Sequence, residues 1–171
     1  MTINAFRPMA LLAAALFALQ TPASAASLPK PAGEPILAIG GNIANTNEGD
    51  VALFDREMLE SIGSAKISTQ TPWYENPVEF EGVPMAALMD YVGAKGTDVT
   101  LTALNDYQST VPITDFEEFG VILAIKRDGQ IMPIRDKGPL WLVYPYDSNP
   151  DLSTDKYYSR SVWQIKELNV Q

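Results

Sequence analysis

The stretch EFEGVPMAALMDYVG, residues 79–93, pairs a polar turn with a short amphipathic helix. We read residues 79–83 as the turn, because charged side chains and a glycine interrupt the apolar ones. Pro84 suits the first position of a helix, where its missing N–H leaves no bond unmade. The apolar side chains of that helix share one face: Met85, Leu88, Met89 and Val92. Gly93 ends the helix, so the pattern predicts an element that packs on a core.

Strand patterns lie on both sides of this helix. Alternating or β-rich segments are predicted at 35–39, 50–54, 66–70, 99–104, 107–113, 121–126, 130–134, 140–144 and 162–170. Two further short helices are expected, at 56–62 behind the capping residue Asp55 and around 115–119. We therefore predict an α+β domain, with a mixed, mainly antiparallel β-sheet or partial barrel and two or three short helices.

Two details predict how the strands pair. Asp128-Gly129 supplies the positive φ angles of a tight hairpin turn between two of the strands. In the last strand the apolar residues Trp163 and Ile165 are followed by Leu168 and Val170, which breaks the two-residue period. A β-bulge near residues 166–167 would return the apolar side chains to the inner face.

The N-terminus has the pattern of an export signal. Arg7 precedes an uncharged apolar run over residues 9–19, and small residues follow up to Ala25. The apolar run is about half the ~20 residues of a membrane-spanning helix. We predict a signal peptide over residues 1–25, cleaved after Ala25, and a periplasmic protein. Residues 26–34 are expected to form an extended leader, and residues 35–171 a single domain.

Composition excludes several functional classes. The formal net charge is −9, which disfavours nucleic acid or anionic lipid as the main partner. The chain has no cysteine and no histidine. It therefore lacks a nucleophile paired with a histidine base, the usual ligands of zinc, iron and copper, and thiol redox chemistry.

Three polar motifs favour structural interpretations. Residues 39–42 lack the spaced glycines and the lysine of a phosphate-binding loop. The acidic alternation over residues 147–155 has Leu152 and Tyr158 where a calcium loop requires glycine and glutamate. The carboxylates of residues 115–118 are interpreted as a solvated turn. No catalytic residue and no metal ligand is predicted.

The tryptophans and tyrosines give a stronger functional signal. Nearly all of them belong to one set, several of whose members lie at strand ends or in loops: Trp73, Tyr74, Tyr107, Trp141, Tyr144, Tyr146, Tyr157, Tyr158 and Trp163. Amides and cations accompany them, among them Asn76, Asn105, Lys137 and Arg160. Flat heteroaromatic ligands bind to such mixtures, which offer rings to stack on and amides that read the ring edge. For each aromatic taken alone, core packing remains the alternative.

An ordered series of motifs resembles the molybdopterin-binding domain of the sulfite-oxidase superfamily, over roughly residues 65–170. The series comprises the segments 79–85, 103–107, 111–112, 122–124, 128–129, 138–145 and 163–165. In that family one cysteine thiolate ties the metal to the protein. The corresponding segment here, residues 67–72, reads ISTQTP and contains no sulfur. A hydroxyl oxygen is a poor substitute for a soft thiolate on molybdenum.

The absent cysteine makes the chain similar to small exported pterin-binding proteins of this fold. That resemblance implies a pterin bound as a ligand rather than as a redox cofactor, no molybdenum and no catalysis. It also implies a protein partner, the periplasmic domain of a membrane-bound enzyme that makes or degrades cyclic di-GMP. Two alternatives stay open: a molybdopterin-dependent oxidoreductase or accessory subunit, and an interaction module whose pocket is filled by side chains.

The resemblance and the side-chain chemistry together give a set of candidate ligand-binding residues. Those that lie in the matching motifs are Asn105, Tyr107, Trp141, Tyr144 and Trp163. Those added from their chemistry alone are Trp73, Asn76, Lys137, Tyr146 and Arg160.

Overall fold

The computed structural model describes residues 27–171, which form ten strands and four α-helices. The strands are β1 Leu37–Gly41, β2 Ala52–Phe54, β3 Ala65–Thr69, β4 Val78–Pro84, β5 Asp98–Ala103, β6 Gln108–Pro112, β7 Ile122–Arg127, β8 Gln130–Ile131, β9 Trp141–Val143 and β10 Ile165–Val170. The helices are α1 Arg56–Ile62, α2 Met85–Val92, α3 Thr114–Phe119 and α4 Asp155–Arg160. None of the helices in residues 27–171 has the length and apolarity that crossing a membrane requires.

The strands form two five-stranded sheets. The first sheet has the order β2-β1-β10-β5-β6, and only the β1–β10 pair is parallel. The second has the order β3-β4-β7-β8, and β9 pairs with β7 beside it; all its pairs are antiparallel. This arrangement confirms the predicted α+β class with mainly antiparallel pairing.

The leader packs on the domain where the structure describes it. Leu28 is buried in the core, and its N–H donates to the carbonyl of Thr46. The backbone N–H groups of Ala32 and Gly33 both donate to Asp55, the residue that caps α1. The predicted signal peptide, residues 1–25, lies outside the described residues.

The segment interpreted as a polar turn, residues 79–83, is a strand, and that prediction was wrong. Residues 78–82 alternate between buried and partly exposed side chains, which is the period of a strand. Gly82 lies so close to β7 that a Cβ there would come within 2.0 Å of the Leu123 carbonyl oxygen. The glycine at position 82 therefore allows the backbones of two strands to approach closely and does not form a turn. The predicted helix follows, but it begins at Met85, because Pro84 has an extended ψ of 124° and is the N-cap and the last residue of β4. Gly93 ends the helix, as predicted, at a φ of +63°.

The predictions of hairpin and bulge are both confirmed. Asp128 and Gly129 have φ angles of +48° and +74° and connect β7 to β8. In β10 the register with β5 shifts between Ile165 and Glu167. β8 is shorter than predicted, because Pro133 has no N–H with which to continue the ladder.

Helix α4 is the element that the sequence pattern missed, and it raises the number of helices above the predicted two or three. Six residues are too few for a helix to be stable alone. Tertiary packing supports it, since the buried ring of Tyr157 lies 5.3 Å from that of Tyr144 and 5.5 Å from that of Phe119.

Two hydrophobic clusters make up the core. The larger lies between the first sheet and the helices, and includes Leu101, Val111 and Leu168. The smaller lies on the second sheet, around Phe80 and Trp141. Trp73, in the β3–β4 loop, packs against both clusters. The junction of the two clusters is therefore aromatic.

Candidate functional site

A cavity of about 340 Å³ opens beside this aromatic junction. Its walls come from four places: the β3–β4 loop, the end of β5 with the β5–β6 turn, helix α4, and the segment between α4 and β10. The lining residues are Trp73, Ala103, Asn105, Tyr107, Tyr158, Ser159, Ser161, Val162 and Trp163. Four of the nine lining residues are thus aromatic, and the others contribute small apolar side chains, hydroxyls and one amide.

The β5–β6 turn holds one side of the cavity through local hydrogen bonds. Asp106 adopts a φ of +64°, and the side-chain oxygen of Asn105 accepts from the Tyr107 N–H at 3.2 Å. This is a turn that asparagine stabilises with its own side chain. The Tyr107 hydroxyl then donates to the carbonyl of Ser159 at 3.2 Å, which joins the turn to α4.

Trp73 is the centre of the aromatic wall. Its ring lies 5.3 Å from Trp141, 5.5 Å from Trp163 and 5.9 Å from Tyr158, each edge-to-face. Such geometry is the favoured arrangement for aromatic pairs. Trp141 is buried behind the wall, where its indole N–H donates to the carbonyl of Ser161 at 3.1 Å. The cavity-facing rings therefore rest on a second layer of fixed rings.

Helix α4 is fastened to the core by a buried network around Asp115. The interpretation of this carboxylate as solvated was wrong, since Asp115 is buried. The Asp115 carboxylate accepts from Arg160 at 2.6 Å and from the Tyr144 hydroxyl at 2.7 Å. Burial, followed by the bond to this carboxylate, raises the pKa of Tyr144 well above its ordinary value, so its hydroxyl stays protonated. Arg160 and Tyr144 thus support α4 from behind and do not line the cavity.

Ser161 is fixed in the same way. Its hydroxyl pairs with that of Tyr146 and also donates to the carbonyl of Tyr157 at 2.8 Å. Burial raises the pKa of Tyr146, which keeps this phenol neutral. The Tyr146 ring is buried and lies 5.3 Å from that of Tyr158.

Two candidate residues lie apart from the cavity lining. Lys137 is half-buried, and its ammonium lies 5.2 Å from the ring centre of Tyr74, 5.5 Å from that of Trp163 and 5.8 Å from that of Trp141. Such distances allow cation–π attraction. Asn76 is exposed in a bend before β4.

The structure brings Trp73, Asn105, Tyr107 and Trp163 together around the cavity. It places Trp141, Tyr146, Tyr144 and Arg160 in the supporting layer behind them. Of the other lining residues, Tyr158 belonged to the aromatic set but was not selected as a ligand-binding residue. Ser159, Ser161 and Val162 carried no chemical signal. All four lie on or just after α4, so their position depended on a helix that the pattern did not predict.

The cavity is not filled by side chains. Trp141 and Trp163 pair through a backbone bridge, and their rings lie 6.1 Å apart, yet the space beside Tyr107 stays open. A larger groove of about 530 Å³ lies elsewhere, lined by aliphatic residues such as Leu104, Ile131 and Ile134. It has no aromatic wall, so we assign the ring-binding site to the smaller cavity.

Acidic side chains do not assemble a metal site in the part of the chain that the structure describes. Asp147, the first acid of the sequence that partly resembled a calcium loop, instead accepts from the backbone N–H of Gln70 at 2.8 Å. The N–H of Asp147 donates to the Thr69 hydroxyl at 3.1 Å. These bonds fasten the end of β3 to the segment that follows β9.

Comparisons with known proteins give two findings. Residues 56–147 match the family model described as oxidoreductase molybdopterin binding domain. A crystal structure of the sulfane dehydrogenase SoxCD from Paracoccus pantotrophus is similar with a TM-score of 0.60 and 18% sequence identity. The likeness covers 78% of this chain and 37% of that one. No curated protein matches. The findings confirm the predicted sulfite-oxidase-type fold.

Proposed function

Because the chain belongs to the family of oxidoreductase molybdopterin-binding domains, we propose that its aromatic cavity binds the flat ring of a pterin. The observation that carries the proposal is the wall formed by Trp73, Tyr107, Tyr158 and Trp163. Its volume of about 340 Å³ lies within the usual range of small-molecule pockets, roughly 300–1,000 Å³. Rings offer stacking surfaces, and the amide of Asn105 offers hydrogen bonds to a ring edge.

The metal part of a molybdopterin cofactor does not fit the donors of this chain. No residue supplies a thiolate or an imidazole. Where the resemblance places the cysteine, the structure has the buried hydroxyls of Thr69 and Thr71. The Thr69 hydroxyl already bonds to Asp147. A hydroxyl is a hard donor that suits molybdenum poorly, so the proposed ligand is the organic ring without a protein-bound metal.

The regulatory role follows from the resemblance to exported pterin-binding proteins. On this proposal the pterin is a signal rather than a redox cofactor, and the chain catalyses no reaction. The protein works in the periplasm, and its partner is the periplasmic domain of a membrane-bound enzyme of cyclic di-GMP metabolism. The signal-peptide pattern of residues 1–25 supports export, and the cysteine-free family domain supports ligand sensing.

Equilibrium titration of the purified protein with reduced and oxidised pterins tests the proposal. We expect at least one of them to bind with a dissociation constant well below about 1 mM, which corresponds to roughly −4 kcal/mol. Absence of binding by every pterin at that concentration would contradict the assignment.

One observation favours a second function, a molybdopterin-dependent oxidoreductase or its accessory subunit. The Thr71 hydroxyl is buried and has no hydrogen-bond partner among the described residues. A buried oxygen without a partner offers a hydrogen bond to a bound cofactor. Molybdenum and tungsten analysis of protein isolated from its native host separates the two functions. A stoichiometric metal with dye-linked activity would favour the oxidoreductase.

A further inference from the structure

The wall of the aromatic cavity carries no charge. Its lining consists of rings, small apolar side chains, hydroxyls and one amide, with no lysine, arginine, aspartate or glutamate. This contrasts with the chain as a whole, which has a formal net charge of −9. A charged group inside the cavity would therefore meet no opposite charge on the walls, and burying an unpaired charge is costly.

Three nearby cations, Arg160, Lys166 and Lys137, do not line the cavity, and two of them are paired with carboxylates. Arg160 follows the lining residue Ser159, but its guanidinium binds Asp115 at 2.6 Å on the side of the core. Lys166 binds Asp106 at 2.7 Å. The ammonium of Lys137 lies over the rings of Tyr74 and Trp141 and over that of the wall residue Trp163.

The uncommitted polar groups of the wall suit a neutral ring. The Asn105 side chain uses its oxygen to accept from Tyr107, and its NH₂ group has no partner among the described residues. The hydroxyl of Tyr158 likewise has none among those residues. An amide NH₂ and a phenol donate to carbonyl oxygens and ring nitrogens, which a pterin ring presents along its edge.

We propose that this cavity selects uncharged, phosphate-free pterins and discriminates against their phosphorylated forms. The proposal deepens the proposed function and rests on it. Selection follows from the charge-free wall: a neutral ring loses only weak hydration on entry, whereas a phosphate loses strong hydration and gains no cation. Hydrogen bonds from the Asn105 amide determine which edge of the pterin ring faces the β5–β6 turn.

The direct test compares 6-hydroxymethylpterin with its phosphate ester by calorimetric titration at pH 7. We expect the ester to bind at least about tenfold more weakly, because its charge is unpaired. Equal or tighter binding of the ester would overturn the selection while leaving the pterin site in place. Failure of both compounds to bind would overturn the proposed function together with this inference.

A substitution that adds a cation to the wall provides the second arm. Ser159 is exposed on α4 and lines the cavity, so Ser159→Lys is expected to narrow or reverse the preference for the neutral compound. Ser61→Lys on α1 is the matched control, since Ser61 is also exposed on a helix and does not line the cavity. An unchanged preference in Ser159→Lys, or an equal change in both variants, would contradict the role of the charge-free wall.

Discussion

Tyr107 shows how one side chain serves both the shape of the cavity and its surface. The residue is 49% exposed, yet its hydroxyl donates to the carbonyl of Ser159. The ring contributes a stacking face, and the hydroxyl contributes the position of the turn. These contributions are separable by substitution.

Tyr107→Ala is expected to weaken pterin binding by about tenfold or more, since stacking of a flat ring on an aromatic side chain contributes roughly 1–3 kcal/mol. Tyr107→Phe keeps the ring and should remain within a few-fold of the wild type. Calorimetric titration of both variants measures the difference. A Phe variant as weak as the Ala variant would show that the hydroxyl, not the ring, is what matters.

Asp55 joins the leader to the first helix. Its carboxylate accepts from Ala32 and Gly33 at 2.8 Å each, and from Met58 at 2.9 Å. These bonds, that from Gly33 above all, hold the pKa of Asp55 below its usual value. A carboxyl whose pKa is lower in the folded than in the unfolded protein stabilises the fold when it is ionised in both states, that is, above its unfolded-state pKa. This stabilisation is lost as the pH falls through the folded-state pKa.

The matched variant is Asp55→Asn, which does not titrate. We expect the melting temperature of the wild type to exceed that of the variant by a constant amount above about pH 5, and the gap to close toward pH 3. Thermal melts followed by circular dichroism across this range test the sign. A gap that widens on acidification would contradict the assigned bonds.

At the scale of elements, the β4–β7 pair depends on Gly82. A Cβ at this position would lie 2.0 Å from the Leu123 carbonyl oxygen and 2.6 Å from the Ala124 Cα. The register of the pair also shifts between Glu81 and Gly82. Backbone atoms cannot move aside as a flexible side chain can, so the strands must separate.

Gly82→Ala is therefore expected to destabilise the fold by about 1–3 kcal/mol or more. Gly40→Ala on β1 is the control, because its Cβ would meet nothing closer than 4.0 Å. Urea denaturation of the two variants measures the free energies of unfolding. Equal losses would contradict the close approach of β4 and β7.

Helix α4 depends on Asp115. The carboxylate and the Arg160 side chain are 8% and 16% exposed. Asp115→Ala leaves a mostly buried cation unpaired, at a cost of about 3 kcal/mol, and should also weaken pterin binding through the displaced α4. The double variant Asp115→Ala/Arg160→Met removes both charges and should recover much of the stability. Urea denaturation of single and double variants tests the pair, and a double variant less stable than the single would contradict it.

What could be predicted from the sequence differs between elements. The 85–92 helix, the Asp128-Gly129 hairpin and the bulge in β10 have local signals, because apolar period and turn chemistry specify them. Strand β4 was misread because the glycine required for strand contact also signals a turn. Helix α4 has no local signal, since tertiary packing of Tyr157 stabilises it.

At the scale of the whole molecule, the candidate site lies at the junction of the two hydrophobic clusters. Trp73, the Asn105–Tyr107 turn and Trp163 come from three segments far apart in the chain. The motif series suggested that Asn105, Tyr107 and Trp163 meet, whereas Trp73 was added from its chemistry alone. The division between wall and supporting layer could not be predicted. It depends on how Trp141, Tyr144 and Tyr146 are buried behind α4, which only the packed fold determines.

The residues that show the family and the residues that line the cavity are only partly the same. Membership of the molybdopterin-binding family rests on residues 56–147, whereas five of the nine residues that line the cavity lie after that range. The part of the wall formed by α4 and the segment after it therefore lies outside the range that shows the family. The account's central claim is that a pterin ring lies in that cavity.

Titration of wild-type protein and of Trp163→Ala with the same pterin tests this claim most directly. Trp163 lines the cavity and is only partly buried, so circular dichroism can verify that the variant still folds. We predict saturable binding to the wild type, at one pterin per chain, and a loss of about tenfold or more in the folded variant. Undiminished binding to folded Trp163→Ala, or no binding to the wild type, would contradict the account.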